Sequence, residues 1–472
     1  MEPITIAEII NATQGRLIQG DKNYLIKNIS IDTRKILPDD LFIAIKGKFF
    51  DGHSFIKQAL ERGACGILVD NQPIGIETRR DVNIIVVNNT IQALGDIASY
   101  YRKKFQPIVI AITGSNGKTT TKDMIAHILN QKHQVIKAPE SFNNDIGVPL
   151  TVLQLTKDTE VLILEMEMNL LGGIKRLCEI SLPQIGVITN IGDTHLEFLH
   201  NREGVLREKT ELLEAVANTG MAILNADDPM LMQVLPRFKF KALYTFGIEK
   251  LGHFGQPDIF AKEIIDHYEK GTEFLLCGKY LVRLNVPGIY NIYNALAAIS
   301  VARAVGFEFE EIISKLSDFL LPRMRMEKIE INGITIYNDA FNANPQSMIS
   351  ALNTFAKFTK GNGKKIAVLS DMLELGDKSI ELHKWVGETF PEGIDILLTV
   401  GEQAKYIAES AQDKKNPKQI FVCNNNIEAV HNLVDIINIG DKILIKGSRL
   451  MRLEELTSKL KEYYFDTKSK NR

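Results

Sequence analysis

Ile108 Val109 Ile110 Ala111 Ile112 Thr113 Gly114 Ser115 Asn116 Gly117 Lys118 Thr119 Thr120 reads as an unbroken apolar strand, a glycine turn and the start of a helix. Met124, Ile125, Ile128 and Leu129 continue it at helical spacing, so the order is strand, loop, helix. In that context the amides from Gly114 to Thr120 and the positive end of the helix converge on an anion, provided the chain turns tightly. Gly114 and Gly117 permit the turn, Lys118 supplies a point charge for β and γ phosphates, and the Thr119 hydroxyl suits a magnesium ion. The GxxxxGK[ST] spacing lacks its first glycine, because that position is Ile112. A glycine turn capped by threonines is the plainer alternative, and the strand and helix on either side favour nucleotide binding over it.

Outward from this loop, short apolar runs alternate with helix-period segments, the pattern of parallel sheets with crossover helices, so the class is α/β. Strands are expected at 41–45, 66–69 and 83–87 with a helix at 54–62, which form one small domain. Tyr100 Tyr101 Arg102 Lys103 Lys104 reads as a polar, basic exit from a helix, and Pro107 restarts the chain as a strand. A second unit carries strands at 108–112, 161–164, 186–191 and 221–224, a β-rich stretch at 259–286 and an alanine-bearing helix at 291–305. Leu321 Pro322 Arg323 ends the helix before it, since proline removes a donor and restricts its predecessor. Strands at 366–369, 396–400, 419–422 and 442–445 then alternate with helices in a Rossmann-like pattern. Three domains are therefore expected, 1–105, 106–321 and 322–472, in keeping with the chain's 472 residues.

Composition narrows the chemistry. The chain is 45% hydrophobic and 24% charged, the balance of a globular protein. Its 56 basic and 58 acidic side chains leave a net charge of -2, with no field to recruit nucleic acid or an anionic membrane, so a small-molecule substrate fits better. Cys65, Cys178, Cys277 and Cys423 lie far apart and form no CxxC pair, which suggests neither a zinc knuckle nor a disulfide framework. The beginning of the chain lacks a basic segment followed by an apolar one, and no run approaches the roughly 18 apolar residues of a membrane span. A cytoplasmic enzyme with no membrane insertion is the expectation.

Ligands in open α/β sheets collect beyond the carboxyl ends of the strands. Glu165 follows one such run, and Asp193 and His195 follow another. A carboxylate and an imidazole suit a divalent ion that offsets charge on a transferring phosphoryl group. Taken singly they are weak signals, because such acids are often turn formers and a lone histidine is more often structural. Lys209, within Val205 Leu206 Arg207 Glu208 Lys209 Thr210 Glu211 Leu212, reads by itself as part of a solvated helix face, with Arg207 paired to Glu211.

Across almost its whole length the chain resembles the Mur ligase family, and within it the MurF type. The resemblance is carried by Ser30 Ile31 Asp32 Thr33 Arg34 and Phe50 Asp51 Gly52 His53, by the phosphate loop, and by Asn143 Asn144 Asp145 Ile146 Gly147 Val148 Pro149. It continues through 288–298, Arg325 Met326 Glu327, Asn338 Asp339 Ala340 Phe341 Asn342 Ala343 Asn344 Pro345, Asp371 Met372 Leu373 Glu374 Leu375 Gly376 and Lys446 Gly447 Ser448 Arg449. It implies a small UDP-sugar-binding domain, a central ATPase-like domain and a C-terminal Rossmann-like domain. The implied reaction is ATP-dependent addition of D-alanyl-D-alanine to UDP-N-acetylmuramoyl-tripeptide through an acyl phosphate, by a monomer.

Residue by residue, the resemblance implies that Lys118 and Thr119 bind phosphates and Mg2+, that Glu165 and His195 hold metal, and that Lys209 is carbamylated. A carbamate offers an anionic oxygen to magnesium where an ammonium would repel it. Asn291 and Asn294 would lie on the adenine side, Arg325 on the phosphates and Asp339 on the ribose, with Asn342 and Asn344 in the same nucleotide-facing segment. Asp32, Thr33, Arg34, Asp51, Gly52, His53, Asn143 and Asn144 would bind the other substrate. Asparagines before a helix whose first turn holds Pro345 are otherwise ordinary turn formers. The chain departs from the pattern after Glu165, reading Met166 Glu167 Met168 Asn169 Leu170 Leu171 Gly172 Gly173, with Leu170 in place of a histidine and Gly173 in place of a glutamate. Ser141 stands where many relatives have asparagine. The alternatives are a MurE-type ligase adding one amino acid, whose DNPR-like run is absent, a folate polyglutamylating ligase, and a nucleotide switch, whose NKxD run is absent.

Overall fold

The computed structural model describes residues 1–47, 50–71, 82–248, 255–412 and 417–470. The class is α/β, built on three large sheets. The first runs Arg16–Gln19, Asn83–Val86, Gly66–Val69, Asp40–Ile43, Asn28–Ser30, parallel apart from its first pair. A central nine-stranded sheet has Ile108–Thr113 between Ile185–Ile188 and Val161–Glu165, with Val135–Lys137 at one edge. On the other side Met221–Asn225, Ala242–Ile248 and Ile259–Asp266 continue in parallel, and Thr272–Leu276 and Tyr280–Leu284 close it as an antiparallel ribbon. The third sheet is ordered Glu327–Ile331, Ile334–Asp339, Lys442–Lys446, Lys365–Ser370, Ile396–Val400, Gln419–Cys423, parallel after an antiparallel first pair.

The apolar run at Val109–Ile112 is buried on both faces, as a central parallel strand requires. Above it, helix Ile289–Ala304 is buried along most of its length, and its alanines let it pack closely on helix Lys118–Leu129. This fixes Asn291 and Asn294, both buried, over the glycine turn.

Three local expectations need correction. The helix does end at Arg102, but the polar, basic reading of Tyr100–Lys104 suits only exposed Lys103 and Lys104: Tyr101 is fully buried and donates to the Leu155 carbonyl at 2.6 Å, while buried Arg102 Nε donates to the Ser181 carbonyl at 2.8 Å. Helix Thr90–Arg102 thereby lies on Gly147–Val152 and Gly173–Ser181, and its Leu94, Ile97 and Ala98 share one apolar core with Ile174, Leu177 and Ile180. The helix before Pro322 ends earlier, at Leu316. The strand expected at 186–191 stops at Ile188, because Thr189–Gly192 leave the sheet to clasp the phosphate loop.

At the start of the chain Glu8 ties helix Ile6–Thr13 to helix Thr90–Arg102. Its carboxylate accepts from Thr5 N at 2.7 Å, Tyr100 Oη at 3.0 Å and Lys104 Nζ at 2.5 Å. Burial opposes its ionisation, but the hydrogen bonds from Lys104, Thr5 and Tyr100 outweigh this and hold it down at about 2. A depressed folded pKa stabilises fully above the unfolded value of about 4.3 and ceases to do so as pH falls towards 2. Glu8→Gln is therefore expected to lower the urea midpoint at pH 7, with the gap to the unaltered chain closing between about pH 4.3 and 2. A gap independent of pH would show that Glu8 acts by packing alone.

Candidate active site

The glycine turn lies at the carboxyl end of the central sheet. Gly114 and Gly117 have φ of 141° and 85°, and a Cβ on them would come within 2.0 Å of Thr189 Oγ1 and 2.2 Å of Asn294 Oδ1. Only glycine fits either place. The clasp from Thr189 and Asn190 completes the cradle: Asn116 N donates to Asn190 Oδ1 at 3.0 Å, Ser115 N to the Asn190 carbonyl at 2.9 Å and Thr189 Oγ1 to the Asn116 carbonyl at 2.5 Å. Gly117→Ala is expected to weaken ATP binding about tenfold or more in calorimetry, through backbone strain and a displaced Asn294. Unchanged affinity would place the nucleotide elsewhere.

Acidic side chains face the loop. Glu165 ends its strand, and alternation buries Met166 in the core while turning Glu165 and Glu167 to the same side. Thr119 Oγ1 donates to Glu165 Oε2 at 2.9 Å, and Asn143 Nδ2 bridges the two acids, at 3.1 Å from Glu165 Oε1 and 3.1 Å from Glu167 Oε2. Lys118 Nζ lies 2.5 Å from Glu167 Oε1 and 2.8 Å from the Gly114 carbonyl. His195, in the left-handed region at φ 53°, reaches Glu167 Oε1 at 3.2 Å with Nε2 and Glu374 Oε2 at 2.5 Å with Nδ1. Burial alone would raise Glu167, but Lys118, His195 and Lys209 hold it well below the usual carboxylate range. Burial alone would lower His195, but Glu167 and Glu374 hold the imidazole up at about 9. A metal ion here would take the place of its proton.

Lys209 corrects its reading as a solvated residue. It is fully buried, its Nζ 3.1 Å from Glu208 Oε2, and Glu208 is itself raised by burial. Nor does Glu211 face Arg207, since its carboxylate accepts from Gly172 N and Lys175 N at 2.5 and 2.8 Å.

The third sheet's loops close the cleft from the opposite side. Arg325 Nη2 donates to Thr119 Oγ1 at 3.0 Å, its guanidinium stacks 4.1 Å from the Phe341 ring centre, and its buried Nε has no hydrogen-bond partner. An orphaned donor at this point suits a phosphate oxygen. Asn344 caps helix Pro345–Lys357 and also donates to Asn116 Oδ1 at 2.8 Å. Gln346 donates to Asp193, which is further engaged by Arg202 at 2.8 and 2.6 Å and so serves to join elements.

A second, less polar hollow continues past Asn116 and Gly117. Tyr290, Tyr293, Phe246, Asn291 and Asn294 line it, with Asp339 at its far wall, where Lys446 Nζ holds the carboxylate at 2.7 Å. Flat aromatic walls with a few polar groups suit a nucleobase. Asn342 lines the phosphate side, and its carbonyl accepts from Lys446.

Of the other expected site residues, Asn143 joins the cleft, and Asn144 spends its side chain capping Ile146 N and Gly147 N at 3.1 and 2.9 Å. Asp32, Thr33, Arg34, Asp51, Gly52 and His53 line neither hollow. Asp32 binds Arg34 at 2.9 Å, Thr33 Oγ1 donates to Gln58 at 2.7 Å, and His53 sits between Asp51 at 2.7 Å and Asp70 at 3.1 Å. Gly52 is pressed against Ile45. Sequence reasoning assigned no role to Glu167, Glu374, the Thr189–Gly192 clasp or the tyrosines; the period of two after Glu165 could have found Glu167.

Comparisons with known proteins follow the same outline. The Mur ligase family catalytic domain matches residues 25–102, the Mur ligase middle domain 112–302, and the Mur ligase glutamate ligase domain 324–449. The UDP-N-acetylmuramoyl-tripeptide--D-alanyl-D-alanine ligase of Bacillus subtilis is 35% identical over 97% of this chain and 98% of its own. That of Escherichia coli is 30% identical over 98% and 99%. A crystal structure of MurF from Acinetobacter baumannii superposes with a TM-score of 0.85 at 30% identity, covering 98% of this chain and 99% of that one. MurF ligase from Thermotoga maritima in complex with ADP gives 0.79 at 28% identity, over 93% and 98%.

Proposed function

This chain belongs to the Mur ligase family, and from that premise we propose how its cleft performs the reaction of the type it matches. It is an ATP-dependent amide-forming ligase that joins D-alanyl-D-alanine to UDP-N-acetylmuramoyl-tripeptide. The observation that carries the assignment of roles is the facing of Lys118, Thr119 and Glu165 by Arg325 across one cleft. We divide the chain at 105 and 321, with the first domain taking the UDP-sugar, the central one ATP, and the third the closing arginine.

The phosphate-loop amides and Lys118 hold the triphosphate, Asn291, Asn294 and the tyrosine walls take adenine, and Asp339 faces the ribose. The tripeptide carboxylate attacks the γ-phosphorus, the bond to ADP breaks, and an acyl phosphate forms. Lys118 and Arg325 offset the charge on the transferring group. The dipeptide amine then attacks the acyl carbon, loses a proton, and expels phosphate. Water exclusion by the docked third domain protects the acyl phosphate.

Thr119, Glu165 and His195 fit magnesium by donor chemistry, hydroxyl and carboxylate oxygens with one imidazole. Among the described residues no three acidic, histidine or cysteine side chains form a ready cage. When bound, magnesium supplies Lewis-acid neutralisation of the phosphoryl oxygens. On the strength of the sequence resemblance Lys209, as its carbamate, would add an anionic oxygen for the same ion. Asp32–Arg34, Asp51–His53, Asn143 and Asn144 are assigned to the UDP-muramoyl substrate on the strength of the sequence resemblance. Among the described residues no helix is long and apolar enough to cross a membrane. We assign the chain to the cytoplasm, where ATP and UDP-sugars are supplied, and, on the strength of the sequence resemblance, to action as a monomer.

Incubation with ATP, magnesium, the UDP-tripeptide and D-alanyl-D-alanine should yield a UDP-pentapeptide, ADP and phosphate by mass spectrometry. A product extended by one residue would point to the single-amino-acid ligase. Phosphate release indifferent to the dipeptide would point to a switch.

A further inference from the structure

Glu167 has no part in the roles assigned above, yet three side chains of the cleft are bound to it. Lys118, His195 and Asn143 all converge on its carboxylate. Its position is imposed from two sides: alternation from Glu165 turns it inward, and Glu167 N donates to the Asn143 carbonyl at 2.8 Å while the Asn143 side chain holds Oε2. It is therefore a fixed carboxylate in a site whose incoming ligand is itself an anion.

That creates a competition with one outcome for bare nucleotide and another for its metal complex. Lys118 Nζ cannot be fully given to a phosphate while it remains 2.5 Å from Glu167 Oε1, and the carboxylate also repels a free polyphosphate. A divalent cation changes both terms. Glu165 and Glu167 present Oε1 and Oε2 to the same amide nitrogen of Asn143, each at 3.1 Å, so a cation beside Thr119 has a second hard oxygen within reach of a small side-chain movement.

We propose that Glu167 makes nucleotide binding conditional on the divalent cation: the cation arriving with the nucleotide takes over the Glu167 carboxylate and releases Lys118 onto the phosphates. The inference rests on the nucleotide reading of this cleft. It makes Glu167 a metal-side selector as well as the counter-ion of Lys118.

The test is ADP binding to the full chain by calorimetry, with magnesium and with a chelator, together with Mn2+ binding followed by electron paramagnetic resonance. In Glu167→Gln, metal-free ADP should bind about three- to tenfold more tightly, and the enhancement by magnesium should fall about tenfold. Mn2+ bound in the presence of ADP should weaken likewise, and Glu167→Asp, which keeps the charge, should restore most of the metal dependence. Metal-free affinity that does not rise in Glu167→Gln, with the magnesium enhancement intact, overturns the proposal and leaves the nucleotide site standing. If the unaltered chain binds no ADP even with magnesium, the nucleotide reading and this proposal fall together.

Discussion

Replacing Lys118 by alanine is expected to lower the rate of phosphate release, with both acceptor substrates saturating, by about 10³-fold, roughly 4 kcal/mol of transition-state stabilisation. The lysine is 7% exposed at the start of its helix, and its ammonium lies 2.8 Å from the Gly114 carbonyl, where the loop would receive the β and γ phosphates. Phosphoryl transfer depends almost wholly on positioned charge, so losing this cation removes an interaction that strengthens as charge moves to the leaving oxygen. The fold should persist, because Glu167 keeps His195 and Asn143 as partners. Lys118→Arg should not restore the rate, since a planar fork does not fit a place built for a compact ammonium. A loss below tenfold would remove Lys118 from the chemistry.

Arg325→Ala should cost about 10²- to 10³-fold in kcat with a smaller change in KM for ATP. Arg325 belongs to the segment leading into Glu327–Ile331, yet its guanidinium reaches Thr119 in the phosphate loop. In the proposed role it would add charge to the reacting centre only while the two sheets' loops are together. Single-turnover measurement of ADP formation separates this from product release; an unaltered rate there would mean that Arg325 only joins the domains. Lysine is a poor substitute, because it neither stacks on Phe341 in the same way nor presents a second nitrogen where Nε now lies unpaired.

The strand, glycine turn and helix at 108–129 were legible because every signal is local: an apolar run, two glycines and a helical period. Glu165 was legible as the first polar residue after a buried strand. Strands such as Ala242–Ile248 and Val135–Lys137 escaped notice because they are half-exposed or short, and pairing with neighbours rather than their own pattern makes them strands. Lys209 was misread for a related reason. Its helix carries charges as a solvated face would, but Glu208, Lys209 and Glu211 are buried while Arg207 and Glu214 stay exposed, and nothing in a period of 3.6 distinguishes water from a polar interior. Glu374, Tyr290 and Tyr293 join the site only through the docking of separate elements, which sequence spacing does not encode.

Three sheets need not mean three independently moving bodies. The seam beside helix Thr90–Arg102 is dry, and parting it would put Leu94, Ile97, Leu177 and buried Arg102 into water or leave them unpaired. The seam around Arg325, Asn344, Glu374 and the Glu269–Lys442 pair is mostly polar, with one small apolar contact where Leu382 meets Leu196, Leu199 and Val205, and water can replace its polar contacts as it opens. The cleft is thus a door with a single leaf. Opening along the wet edge costs less than opening along the dry one, which makes the dry edge the jamb against which that leaf would shut.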